Sequence, residues 1–286
     1  MPGLSNQPQS IGKVLDSGIR LYIRGLVKSL VLLLIAFLLA MLIAVVSTVG
    51  MRISGPSSTS IVYFIALMII MLTLMFAIMG SITFVYGELG AGRVPTIGGS
   101  LKKGIKKAFP LLVSGIIYGA IVAILSYGPS FLFLSLLKII GAANPVLLFA
   151  SLLVSQIPYI IFLVSLKFYD TAIVLDDVGT FRSIVYSHKL VWGNWWRTTA
   201  VYMVPIVLAL VLFMIFYFVL GLGAFLSMPR GGPVNPGAMF PLSSGLVLFV
   251  ILGLIIPLFP AVSVALYHDL KLRKSGGDLE ARLASA

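Results

Sequence analysis

The stretch "LVLLLIAFLLAMLIAVVSTVG", residues 30–50, decides the fold. It carries no charged side chain. As a helix rising ~1.5 Å per residue it would span about 30 Å, the thickness of a bilayer's hydrocarbon core. Five more apolar runs follow: Ile61 to Tyr86, Leu111 to Tyr127, Pro145 to Phe168, Thr199 to Leu226 and Gly245 to Tyr267. Each is close to the ~20 residues a spanning helix needs, the third being the shortest. The piece "FLFLSLLKII" at 131–140 follows Pro129. It either lies in the outer interface or extends the third span past a kink. The first apolar run begins near Leu26, late for a cleavable signal and long enough to remain in the membrane.

Composition supports the same reading. The chain is 60% hydrophobic and 10% charged, with a mean hydropathy of +1.13; a soluble domain is typically about 25% charged. The net charge of +12 arises from 20 Lys and Arg against 8 Asp and Glu. The basic residues flank the apolar runs and no nucleic-acid-binding signature accompanies them, so membrane topology explains the charge and nucleic acid is not an expected partner. Without a cysteine, the chain can form no disulfide, thiolate metal site or cysteine nucleophile.

Orientation follows from where the cations fall. Seventeen lie in the N-terminal segment, in the loops after spans two and four with their flanks, and in the tail; only Arg52, Lys138 and Arg230 lie on the other side. All eight acids share the basic side. The bias places both termini in the cytoplasm. No span has an ionisable acid or base near its centre, which argues against a proton-coupled pump.

The basic segments resemble one another. "IGKVLDSGIRLY" precedes the first span, "IGGSLKKGIKKAF" the third and "TFRSIVYSHKLVW" the fifth. Leu15, Leu101 and Ile184 align, as do Gly18, Gly104 and Ser187, and then Arg20, Lys106 and Lys189. The even spans end on Tyr86 before Glu88, Tyr169 before Asp170 and Tyr267 before Asp269. The expected fold is therefore all-α. It is a polytopic membrane protein with six transmembrane helices, arranged as three parallel-oriented hairpin repeats with cytoplasmic amphipathic interfacial helices. The repeat units run over about 11–90, 97–172 and 180–270 of a single integral membrane domain spanning 1–286, with 271–286 as a cytoplasmic tail.

All three tryptophans lie in "YSHKLVWGNWWRT", residues 186–198. On one helix, Phe181, Ile184, Val185, His188, Trp192, Trp195 and Trp196 fall within about 60° of a single line, with Leu190 and Val191 as exceptions. Gly193-Asn194 loosens such a helix before span five. Indoles facing one way beside Lys189 and Arg197 suit the bilayer interface, where rings sit at headgroup depth and cations attract anionic lipid. An aromatic cage would need rings facing each other. Lys102, Lys103, Lys106 and Lys107 form a second basic cluster, for which Glu88, Asp170 or phosphates are candidate partners.

No catalytic constellation is legible. His188 and His268 have no second ligand in metal spacing, and "YHD" at 267–269 reads as an interfacial tyrosine beside a solvated pair. No G-x-S-x-G, Walker or HExxH motif occurs. No catalytic residue, cofactor or metal is expected. Within the spans, Gln156 and Tyr159 are the polar candidates beside Pro158. Pro205, Pro257 and Pro260 mark kinks. Gly115, Gly119 and Ala123 form a small-residue stripe for close helix packing on span three.

The stretch "VLDDVGTFRSIVYSHKLVWGN", residues 174–194, resembles the matching segment of the YciC-like family of bacterial inner-membrane proteins. The likeness is carried by Asp176, Gly179, Phe181, Ser183, Ser187, Leu190, Trp192 and Asn194. The tail "LYHDLKLRKSGGDLEARL" resembles the end of the membrane domain attached to some glycerophosphodiester phosphodiesterases. The resemblance implies a six-helix inner-membrane protein and brings no catalytic residue with it. The expected role is non-enzymatic engagement of anionic lipid in membrane or envelope homeostasis. The alternatives are a transporter or channel for a small or lipid-like solute through the bundle, and a scaffold for partners the sequence does not name.

Overall fold

A computed structural model describes residues 3–54, 58–139, 144–227 and 242–276. Arg230 and Arg282, the side chain of Arg52 and the tail beyond residue 276 lie outside the described residues. Nine helices are present among the described residues, and no strand. They are α1 (Ile11–Ser54), α2 (Ser58–Gly90), α3 (Ile97–Ile139), α4 (Pro145–Ser165), α5 (Tyr169–Leu175), α6 (Thr180–Val191), α7 (Trp195–Ser227), α8 (Leu242–Ile255) and α9 (Leu258–Lys274). Six helical stretches are long and apolar enough to cross a membrane, the fourth joining α4 to α5 and the sixth joining α8 to α9.

Two expected surface helices are not separate elements. The segments before spans one and three continue into their spans as α1, of 44 residues, and α3, of 43. At ~1.5 Å per residue these helices reach about 65 Å, twice the hydrocarbon thickness. Neither segment contains a left-handed residue that would end the helix. Pro110 and Pro129 sit inside α3 without ending it, so the piece at 131–139 extends the third span. Only the third segment forms its own helix, α6, because Gly193 adopts φ +92° and the chain turns before α7.

The core lies at one end of the bundle, the end that carries residues 10, 93, 180 and 274, called the basal end below. Tyr86, Phe168, Ile82, Val85, Leu266 and Leu270 are fully buried there. The apical halves of the spans present large apolar side chains outward, among them Leu38, Leu42, Ile69, Phe131 and Phe218. A surface of this kind is stable only against lipid or another apolar partner.

In the basal core α2, α5 and α9 touch one another. α1 lies against α2 and α9, α3 against α2 and α5, and α6 against α5 and α9. The three aligned small residues occupy these seats. Gly18 of α1 faces Val262 of α9, where an added Cβ would lie 3.1 Å from the Val262 Cα. Gly104 of α3 faces Ala77 and Ser81 of α2. Ser187 of α6 donates to the Ser165 carbonyl at 3.0 Å and accepts the Phe168 N–H at 2.9 Å. It thus satisfies polar groups freed where α4 breaks before α5. Each outer helix therefore seats on the return helix of the preceding hairpin, and the first seats on the last.

The buried aromatic position in span four is Phe168 and not Tyr169. Phe168 packs on Tyr267 with ring centroids 5.7 Å apart, whereas Tyr169 turns aside to stack on Tyr118 at 5.1 Å. Phe168 precedes Asp170 by the two residues that separate Tyr86 from Glu88 and Tyr267 from Asp269. The small-residue stripe on α3 is used in part: a Cβ on Gly115 would meet the Phe76 ring at 2.2 Å, whereas Gly119 faces open space.

Candidate membrane-interface site

The basal polar groups are mostly paired with one another. Asp269 is buried, accepting from Arg197 at 2.9 Å, from Arg273 at 3.0 Å and from the Gln9 N–H at 2.7 Å. Arg197 and Arg273 also donate to the Gln9 carbonyl. Tyr267 is buried as well and donates to Asp176, whose carboxylate also accepts Lys271 at 2.8 Å. Tyr267, expected at the interface, is instead buried in the protein, and the expected solvated pair is overturned for Asp269. Apart from Arg273, one helical turn on, their partners lie about 70 to 260 residues away in the chain, out of reach of a local reading. His268 contacts the Ser5 carbonyl at 3.0 Å.

The four-lysine cluster divides in two. Lys103 and Lys107 reach Asp177 at 2.9 and 2.6 Å. Asp177 is held at φ +54°, a left-handed conformation that Asp tolerates better than most side chains. Hydrogen bonds from Lys107 and then Lys103 pull its carboxyl down to about 2. Glu88 instead pairs with Arg93, and Asp170 accepts from the N–H and hydroxyl of Thr171. Lys102 and Lys106 point outward on the same helix, beside exposed Ile105 and Phe109.

The α6 stripe also divides. Its buried face is Ser183, Ile184, Ser187, Leu190 and Val191, so the two residues that broke the expected stripe are anchors to the bundle. Phe181, Val185 and Trp192 face outward. The tryptophans do not face one way. Trp195 is half-buried and donates through Nε1 to the Ile161 carbonyl at 3.1 Å, while Trp196 is 80% exposed and nearly perpendicular to it at 85°. His188 lies between Phe162 and Trp192, with Nδ1 buried and no hydrogen-bond partner. Lys189 is exposed on α6.

Turning the chain at Gly193 opens a notch of about 780 Å³ on the side of the bundle. Its wall is almost wholly apolar: Ile157, Ile160 and Ile161 of α4 face Trp192, Trp195 and Trp196. Arg197 also lines it, and Lys274 Nζ donates to the Trp192 carbonyl at 3.0 Å.

Gln156 is bound within the α3–α4 contact. Its Nε2 donates to Ser130 Oγ at 3.2 Å, and its Oε1 accepts from Ser126 Oγ at 3.4 Å. Ser130 in turn contacts Ser155 at 2.8 Å. Tyr159 lies partly buried on the same helix. Among the described residues no three His, Asp or Glu side chains come together as metal ligands.

Six apolar spans around a basal core, with its polar groups knitted inward, define a multi-pass α-helical membrane protein. The chain belongs to the family described as Domain of unknown function (DUF7847), which it matches over residues 99–270. The matched region takes in most of α3 and every later helix up to Leu270 of α9, and so contains the Asp177 clamp and the notch. No curated protein and no solved structure matches the chain.

Proposed function

We propose that the protein is a non-catalytic membrane component whose basal end rests on the cytoplasmic leaflet of a bacterial inner membrane and engages anionic phospholipid there, in membrane or envelope homeostasis. One observation carries this reading. Counting eight residues on from the aligned Leu15, Leu101 and Ile184 gives Ile23, Phe109 and Trp192, which are 65%, 71% and 58% exposed. Each follows a cation, Arg20, Lys106 or Lys189, by three residues, one turn of helix away. Each basal helix thus buries one face in the bundle and shows an apolar residue beside a cation on the other. That combination suits the boundary between headgroups and acyl chains. The likeness to the YciC-like family supports the inner-membrane setting, and the excess of Lys and Arg at the basal end supports a cytoplasmic position for both termini.

The pairing pattern says which lysines to change. Lys102→Gln with Lys106→Gln removes two outward cations and leaves the Asp177 clamp intact. At roughly 1 kcal/mol per charge near an anionic surface, the double variant should retain phosphatidylglycerol about 30-fold less well than the wild type in native mass spectra. Equal retention would overturn the lipid reading. Orientation is tested separately: a tag at either terminus should react with an impermeant label only after the inner membrane is opened. Labelling of intact spheroplasts would reverse it.

A further inference from the structure

We infer that the notch between α4 and the α6–α7 turn is a slot for one acyl chain of an anionic phospholipid, the phosphate lying at the Arg197–Lys274 rim. This rests on the lipid reading above and narrows it to a single bound molecule. In the first two hairpins the basal helix runs unbroken into its span, through Arg24 in α1 and Pro110 in α3, the positions equivalent to Gly193. Only in the third does a left-handed glycine interrupt it and open a recess. The recess lies on the face turned to lipid, and its volume of about 780 Å³ falls within the ~300–1,000 Å³ usual for small-molecule clefts. Its wall offers isoleucine and indole surface and, among the described residues, no carboxylate. Trp195 contributes a face without an unmet N–H, since that group already bonds to Ile161.

The charge at the rim has the right sign. Arg197 brings one cation to the rim, paired with the buried Asp269. Lys274, exposed, adds another on the Trp192 carbonyl. An apolar slot capped by net positive charge complements a chain capped by phosphate.

The protein carries its own reporter, because its three tryptophans all line the notch. The full chain is placed in phosphatidylcholine vesicles, and phosphatidylglycerol with brominated chains is titrated in while indole emission is followed. Quenching should rise steeply and saturate at low mole fraction, reaching half its maximum at about one-fifth the fraction needed by brominated phosphatidylcholine, the advantage expected of one net charge at the rim. Lys274→Gln should erase most of that preference. Ile160→Phe, which fills the slot, should weaken quenching by both lipids. Quenching that follows bulk composition equally for both lipids and is unmoved by Ile160→Phe would overturn the slot. Equal steep quenching by both lipids would overturn the phosphate assignment. If the Lys102/Lys106 variant loses lipid while quenching follows bulk composition, the notch fails and the basal-cation reading survives; the reverse pair of results retains the notch alone.

Discussion

Gly104→Ala lowers the unfolding midpoint of the detergent-solubilised protein by about 5–10 °C, on an overpacking cost of ~2–3 kcal/mol and a few degrees per kcal/mol. The added carbon would lie 2.0 Å from Ser81 Oγ, 2.2 Å from the Ala77 carbonyl and 2.8 Å from the Ser81 nitrogen. The hydroxyl could rotate away. The two backbone atoms could not, so α3 and α2 would have to separate along a contact that buries Ser100, Gly104 and Ala108. Gly98→Ala and Gly119→Ala are matched controls, since both glycines face open space on the same helix. Alanine favours a helix by roughly 1 kcal/mol over glycine, so the controls should hold or raise the midpoint. Equal midpoints for Gly104→Ala and the controls, read by light scattering on heating, would show that the seat is not close-packed.

Asp269→Ala should be the most damaging single loss of charge. The carboxylate is 4% exposed and Arg197 15% exposed. Removing the acid leaves the largely buried Arg197 without its carboxylate and the Gln9 N–H without its acceptor. Breaking a buried pair from one side costs about 3–5 kcal/mol. Asp16→Ala, which breaks an exposed pair with Arg20, should cost at most ~1 kcal/mol. Arg197→Met combined with Asp269→Ala should lose less than the sum of the two single changes, since each single leaves a charge the other removes. Additive losses below ~1 kcal/mol each, in a chemical-denaturation series, would mean that the node contributes nothing to holding the N-terminal arm.

The spans could be read from the sequence because a bilayer imposes one length and excludes charge, and both show in a single run such as residues 30–50. The seats of the repeat were legible as aligned small residues, Gly18, Gly104 and Ser187. What they touch was not, since close approach depends on the partner helix. The basal helices were read correctly as helical and wrongly as detached. Periodicity marks a face but does not say whether a helix ends, and only the sign of φ at Gly193 distinguishes the third segment. The indoles were read as one stripe because the helix was extended through that turn; the break sends Trp195 inward and Trp196 outward. Asp177 was missed as the partner of Lys103 and Lys107. It lies about 70 residues along the chain and depends on a left-handed backbone that no spacing rule reveals. The notch left a trace in the sequence, a glycine amid tryptophans, but its opposite wall comes from α4.

The circular seating has a consequence for biosynthesis. α1 leaves the ribosome before α9, yet the surface that receives Gly18 belongs to α9. Until Val262 has been translated and inserted, the Gly18 side of α1 lacks its seat. The α1–α9 contact therefore closes the ring only after α9 is inserted, and a ribosome stalled within α8 would leave α1 without that seat.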